Sequence, residues 1–343
     1  MHKVNVKSIL SAKNGMNLYR GCTHGCIYCD SRSTCYGMDH DFEDIEVKAN
    51  APELLELALK RRRSRCMIGT GSMCDPYMPI EQELGLTRKC LELIERYGYG
   101  VSLITKSDLI LRDLDLLKRI HEKTKCVVQM TLTTCDEDLC RIIEPHVCTT
   151  RRRGEVLEIL RDAGIPTIVW MCPILPFIND TEENILGIVD HAARAKSYGI
   201  IAFDIGVTLR DGDRQYFYQQ LDAHFPGLKK KYMDTYGKAY EVGSPRRKEL
   251  MKLFKDACRN SGLNTDISQL FSYIHEFEDK REGEQLSLMD FMGGCGRVLP
   301  SSHRKNRSAM PQHRMETAPR IRTGNHTWSV GCPRAAAFSS LIP

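Results

Sequence analysis

The chain has 343 residues, 42% of them hydrophobic, enough to bury a full core and unlike a disordered or fibrous composition. It has no apolar run of 18 residues that could span a bilayer, and the opening stretch MHKVNVKSIL lacks the apolar segment of a secretion signal, so a cytoplasmic protein is expected, with no membrane partner. The formal charge of +5 is weak evidence for a polyanionic partner, because the basic excess sits after Gly293, where Glu316 is the single acid, and the preceding body is nearly neutral.

Strand and helix signals alternate from the start. A first strand is expected at 16–19, then a helix over 52–63 with Leu54, Leu55, Ala58 and Leu59 on one face, and a strand at 66–70. A helix over 87–97 has Thr87 as its N-cap and Gly98 placed to end it in the left-handed conformation. The pattern continues with strand 101–105, helix 111–122, strand 126–133, helix 151–163 stopped by Gly164, and strand 167–172. Asp180 and Glu183 form a capping box for a helix to Tyr198, closed by Gly199 before strand 200–207. A last helix over 244–260 has Pro245 in its first turn.

Runs such as VVQM and TIVWM are apolar on both faces, as parallel strands between two layers must be. Six such strands with helical crossovers predict an α/β fold, a partial (β/α)6 TIM-like barrel with its chemistry at the C-terminal strand ends. An open doubly wound sheet is the alternative. The expected organisation is a core over 1–262, a closing element over 263–292 and a basic tail over 293–343 that is too polar and proline-rich to order itself.

The chain contains 15 cysteines without the pattern of a disulfide scaffold, so reduced thiols are expected, most of them inert core residues. Cys22, Cys26 and Cys29 stand apart. They form C-x3-C-x2-C on a loop after the first strand, with Gly21 and Gly25 to let it bend. Three thiolates on one loop can hold three irons of a 4Fe-4S cluster and leave the fourth iron open to the amino and carboxylate groups of S-adenosylmethionine (SAM). A structural zinc site, with Cys35, His24 or His40 as fourth ligand, is the competing reading. It would make the chain a non-enzymatic zinc-binding or nucleic-acid-binding protein.

C-x3-C-x2-C with Tyr28 before the last cysteine resembles the radical SAM superfamily. The longer run of motifs, NLYRGCTHGCIYCDSRS, DPYMPIE, LTRKCLELIERYG, LITKSDLILRDLDLL, IEP and GIPTIVWMCPILPFIND, resembles its spore photoproduct lyase-like branch over residues 14 to 292. It is also similar to radical SAM proteins found as pairs on mobile elements. The resemblance implies a 4Fe-4S cluster, SAM, reductive cleavage of SAM to a 5′-deoxyadenosyl radical, and an external one-electron reductant of flavodoxin or ferredoxin type. It further implies a substrate yielding hydrogen to that radical, with a lyase acting on damaged nucleic acid as the leading choice, and a second radical SAM protein as a possible partner.

Carried over by position, the resemblance makes Lys106 the contact of the SAM carboxylate, Tyr28 a cover for the adenine, and Thr131 and Thr133 polar groups facing the cofactor. Gly69, Thr70, Gly71 and Ser72 would approach the methionine part of SAM. Cys74 lies close to, but out of register with, the hydrogen-donor cysteine of the lyase. From the residues themselves, Arg151 to Arg153 place cations at a helix start, against the helix dipole, so Arg152 and Arg153 are candidates for an anionic substrate, with salt bridges to Glu144 or Glu155 as the alternative.

Overall fold

Apolar segments too short for helices and separated by amphipathic ones assemble, in the computed structural model, into one six-stranded sheet; the model describes residues 1–280. The strands are β1 (Gly15–Met16), β2 (Met67–Thr70), β3 (Gly100–Thr105), β4 (Cys126–Thr131), β5 (Thr167–Trp170) and β6 (Gly199–Ile201). They lie side by side in chain order, and every neighbouring pair is parallel. A doubly wound sheet would reverse its strand order at a switch point. This one never reverses, so it winds one way, as a partial barrel does.

Helices Ala51–Arg61, Leu86–Tyr97, Leu114–Lys123, Thr150–Asp162 and Glu182–Arg194 form the connections. Their apolar stripes, such as Leu116, Leu117 and Ile120, pack with Val101, Leu103, Val128 and Val169 in the main core between helices and sheet. The other sheet face makes an interior of Met67, Val127, Ile168, Trp170 and Ile201, closed by Leu270, Phe271 and Ile274 of helix Ile267–His275. A polar chain crosses that interior: Trp170 Nε1 donates to Gln129 Oε1 at 2.7 Å, and Gln129 Nε2 donates to Ser102 Oγ at 2.7 Å. Each buried polar group thereby finds a partner.

Several expected boundaries move, for identifiable reasons. Glu81, not Thr87, caps helix Leu86–Tyr97, its carboxylate accepting from the amides of Leu86 and Thr87. Thr181 Oγ1 accepts from Asn184 N and caps Glu182–Arg194, while Asp180 accepts instead from Ser244 Oγ at 2.5 Å. Gly199 opens β6 rather than closing that helix: a Cβ there would collide with the Asn264 carbonyl. The segment expected as one strand over 200–207 divides into β6 and a separate strand, Gly206–Thr208, paired antiparallel with Glu241–Gly243. Helices Glu137–Ile143, Asp213–His224 and Leu228–Tyr236 have no counterpart in the sequence reading. No described helix is long and apolar enough to cross a membrane. The expected tail over 293–343, and the closing element beyond residue 280, lie outside the described residues.

Candidate active site at the mouth of the barrel

The cysteine loop leaves β1 through the short strand Tyr19–Arg20 and is fastened from two sides. On one side Ile27 N donates to Ile143 O at 3.0 Å and His146 N donates to His24 O at 3.2 Å. Gly25 sits so close to Pro145 and His146 that a Cβ would press on both, and its φ of +71° suits glycine. On the other side Asp75 gathers three elements. It accepts from Thr105 Oγ1 at 2.7 Å and from the amides of Tyr77 and Lys106 at 2.8 Å each, and it lies 3.5 Å from His24 Nδ1. Burial lowers the His24 pKa, although Asp75 opposes that shift. The loop conformation is therefore set by β2, β3 and the segment after helix Glu137–Ile143.

Beneath the loop is a buried polar network centred on Glu144. Tyr28 Oη and an Arg153 guanidinium nitrogen both donate to its carboxylate, and Thr133 Oγ1 donates at 3.1 Å. Arg153 is fully buried and also donates to the carbonyls of Thr131 at 2.7 Å and Cys148 at 3.0 Å. Burial pushes the Glu144 carboxyl up, but Arg153 and Lys106 outweigh it and hold the pKa below the usual value. A buried carboxylate is tolerated only with such partners.

The three thiols sit where burial disfavours their charged form. Burial pushes the Cys22 thiol up, and repulsion from Cys29 and Cys26 adds to it; Cys26 is pushed up to about 12, and Cys29 rises as well. A bound cation would relieve both penalties, because ligating thiolates share their charge with it. A structural zinc would need a fourth protein ligand beside the three thiolates, whereas a cluster can take one sulfur for each of three irons. The expected fourth ligands are engaged elsewhere: Cys35 is exposed and accepts from Arg210, His24 faces Asp75, and His40 faces Glu46.

A cavity of about 760 Å³ opens beside the loop. Tyr28, Cys29, Ser72 and Lys106 line it, with Trp170 and Phe203 among its apolar walls and the pair Gly206–Thr208 and Glu241–Gly243 along one edge. Lys106 Nζ lies 5.9 Å from the Tyr28 ring centre. Burial pulls the Lys106 pKa down, yet Cys26, Glu144 and Asp75 together leave it above the ordinary lysine value, so the ammonium stays charged. This arrangement can hold an anionic group next to the cysteine loop and shield reactive species from water.

Other sequence candidates fall elsewhere. Gly69, Thr70 and Gly71 sit behind Ser72 and do not line the cavity; at Gly71 the reason for glycine is the Ile104 carbonyl of β3, which a Cβ would strike. Thr131 and Thr133 also lie off the cavity, Thr133 being committed to Glu144. Cys74 is packed in the main core, where its thiol donates to Tyr19 O at 3.0 Å. Arg153 is locked on Glu144, and Arg152 pairs with Asp108 and Glu155 at 2.9 Å each, so the salt-bridge alternative describes both. Glu144 and Asp75 were missed as site residues although both belong to quoted motifs, IEP and DPY; only the fold shows what they touch.

The description Radical SAM superfamily matches residues 16–192, more than half of the chain. An uncharacterized protein of Mycobacterium tuberculosis (strain H37Rv) is 30% identical over 244 residues, which cover 69% of this chain and 71% of that protein. An uncharacterized protein of Methanocaldococcus jannaschii is 33% identical over 181 residues, 52% of this chain and 67% of the relative. Among solved structures, a spore photoproduct lyase mutant with bound AdoMet and dinucleoside spore photoproduct superimposes with a TM-score of 0.52 at 16% identity, covering 71% of this chain and 72% of the lyase. A second mutant of the same lyase gives a TM-score of 0.53 at 16% identity, covering 75% and 77%. These similarities establish a common fold.

Proposed function

The chain belongs to the radical SAM superfamily, and from that premise we propose that it is a radical SAM enzyme whose 4Fe-4S cluster is held by Cys22, Cys26 and Cys29. The observation that carries this reading is the placement of that thiol loop against a cavity at the C-terminal strand ends, with the Lys106 ammonium between them. The three cysteines would hold the cluster, and cluster and SAM together would supply one-electron cleavage of the sulfonium and the radical chemistry of hydrogen abstraction. Lys106 would pair with the SAM carboxylate through a charge-assisted contact. Tyr28, its hydroxyl anchored on Glu144, presents a fixed ring face to the cavity. Trp170 and Phe203 give the cavity apolar walls that would exclude water from reactive species, and about 760 Å³ falls within the usual range for small-molecule and cofactor sites.

A flavodoxin- or ferredoxin-type protein supplies the electron in this reading. The finer proposal is a lyase acting on damaged nucleic acid, supported by the fold held in common with a lyase that binds a dinucleoside photoproduct. Anaerobic reconstitution is expected to give about four irons per chain and, after reduction, 5′-deoxyadenosine and methionine. Alanine at Cys22, Cys26 or Cys29 should abolish both. Zinc held by these cysteines, without SAM cleavage in fully reconstituted protein, would overturn the reading. Anaerobic incubation with ultraviolet-irradiated DNA tests the finer proposal: unchanged lesions alongside active SAM cleavage would refute the lyase and leave the radical chemistry standing.

A further inference from the structure

A second group of ligands lies away from the cavity, on the three-stranded sheet made by His2–Val4, Glu46–Lys48 and Tyr19–Arg20. The parallel register of the first two strands sets His2 opposite Glu46. His40 reaches the same spot from the preceding loop. One ring nitrogen of each histidine and one Glu46 carboxylate oxygen lie within 4.8 Å of one another, the single such three-residue set found among the described residues. His40 Nε2 is 3.8 Å from Glu46 Oε2.

Each ring is oriented by a contact on Nδ1. His40 Nδ1 is 3.0 Å from the Asp41 carbonyl, which can only accept, so a metal-binding neutral ring would keep its proton there and offer Nε2. His2 Nδ1 is 3.0 Å from Asp44 Oδ2, a contact that in the neutral ring likewise leaves Nε2 as the donor atom for a metal. A carboxylate or carbonyl behind each imidazole is the arrangement that orients metal-binding histidines. His40 Nε2 is moreover buried and has no hydrogen-bond partner. It faces the Glu46 carboxylate, which also lies 4.0 Å from Arg20 Nη1.

We propose that His2, His40 and Glu46 form a site for one divalent cation of the zinc class, independent of the cysteine loop. Two imidazoles and a carboxylate are borderline donors suited to Zn²⁺ or Co²⁺, and three protein ligands leave a position for water. A tetrahedral ion sets such donors roughly 3.4 Å apart, so binding draws the three together from separations of up to 4.8 Å, the His40–Glu46 pair from 3.8 Å. His2 has a side-chain exposure of 40% and His40 of 17%, which leaves a path for entry from solvent. The ion's effect follows from what it ties together. The loop between His40 and Glu46 carries Phe42, whose carbonyl accepts from Cys22 N at 3.1 Å and occupies the space a Cβ on Gly21 would need. A bound ion thus fastens the first strand to the segment supporting the first cysteine of the loop.

The test uses full-length protein after anaerobic iron-sulfur reconstitution, so that the loop thiols are occupied, with Co²⁺ as a spectroscopic probe and Zn²⁺ as competitor. One Co²⁺ per chain is expected, with visible absorption of a four- or five-coordinate ion that Zn²⁺ displaces. His40→Ala and Glu46→Gln should each weaken Co²⁺ binding at least about tenfold at unchanged iron content, and Asp44→Asn about tenfold through the lost support of His2. Zn²⁺ should raise the melting temperature of the parent protein and not of these variants. Should His40→Ala lose iron or fold poorly, His2→Gln gives the same comparison with a smaller change of shape. Co²⁺ titrations that coincide for the parent, Glu46→Gln and His2→Gln, or no Co²⁺ uptake by the parent, would overturn the site.

Discussion

Arg152 and Arg153 are neighbours in sequence and opposites in energetics. Arg153 is fully buried against Glu144, so removing its charge strands a carboxylate in the interior; Arg152 is half-exposed and pairs with Asp108 and Glu155 in solvent. Arg153→Met should cost about 3–5 kcal/mol in urea unfolding, whereas Arg152→Ala should cost less than about 1 kcal/mol. Equal losses would contradict the division of roles. Asp213 offers a test by pH. Burial pushes its carboxyl up to about 7, and one of its oxygens is enclosed without a partner while the other accepts from Arg210 N at 2.6 Å. A raised folded-state pKa means that its stabilisation is complete below the ordinary carboxylate range and is lost as the pH climbs toward 7. Asp213→Asn lacks that titration, so its urea midpoint relative to the parent should rise between about pH 4 and 7 and level off above. A difference that stays flat with pH would show that Asp213 does not titrate in this range.

At the scale of elements, β2 and β3 meet at their C-terminal ends through Gly71, which has φ +98° and no room for a side chain beside the Ile104 carbonyl. Gly164, after helix Thr150–Asp162, has φ +75° and open space around it. Gly164→Ala should therefore cost only backbone strain, about 1–2 kcal/mol. Gly71→Ala adds a backbone collision that parts the strand ends leading to Asp75 and Lys106, and should cost at least about 3 kcal/mol by urea unfolding and lower the affinity for SAM. Similar destabilisation by the two substitutions would mean that the strand ends yield easily. The helices absent from the sequence reading share one reason. Asp213–His224 carries three consecutive aromatic residues beside Gln and Asp, and its buried positions, Asp213, Phe217 and Leu221, form a narrow strip set by contact with Val207, Leu209 and Tyr232.

At the scale of the molecule, the sheet is open between β1 and β6 among the described residues, and helix Ile267–His275 supplies an interior wall there. Phe271 meets Trp170 edge-on, ring centres 6.1 Å apart, and Trp170 in turn lines the cavity. Phe271→Ala should cost about 3 kcal/mol or more and admit water to Trp170, seen as a red shift of its fluorescence. A stable variant with unchanged fluorescence would show that the helix is a cover and not a wall. The same coupling makes cavity shape depend on residues remote from the cysteine loop.

The sequence by itself determined the alternation of strands and helices, the sites of chain reversal at Gly98 and Gly164, and the three-cysteine loop, because each is written in neighbours a few positions apart: periodicity, a glycine free to adopt positive φ, thiols spaced along one turn. Tertiary structure alone decided which charges are buried and whom they meet. Tyr28 and Glu144 are 116 positions apart, and no local pattern tells that Arg153 turns inward while Arg152 stays in water. The same holds for His2, His40 and Glu46, which the strand register brings together. The physical reason is that a buried polar group is stable only with a partner, and the fold delivers that partner from a distant part of the chain.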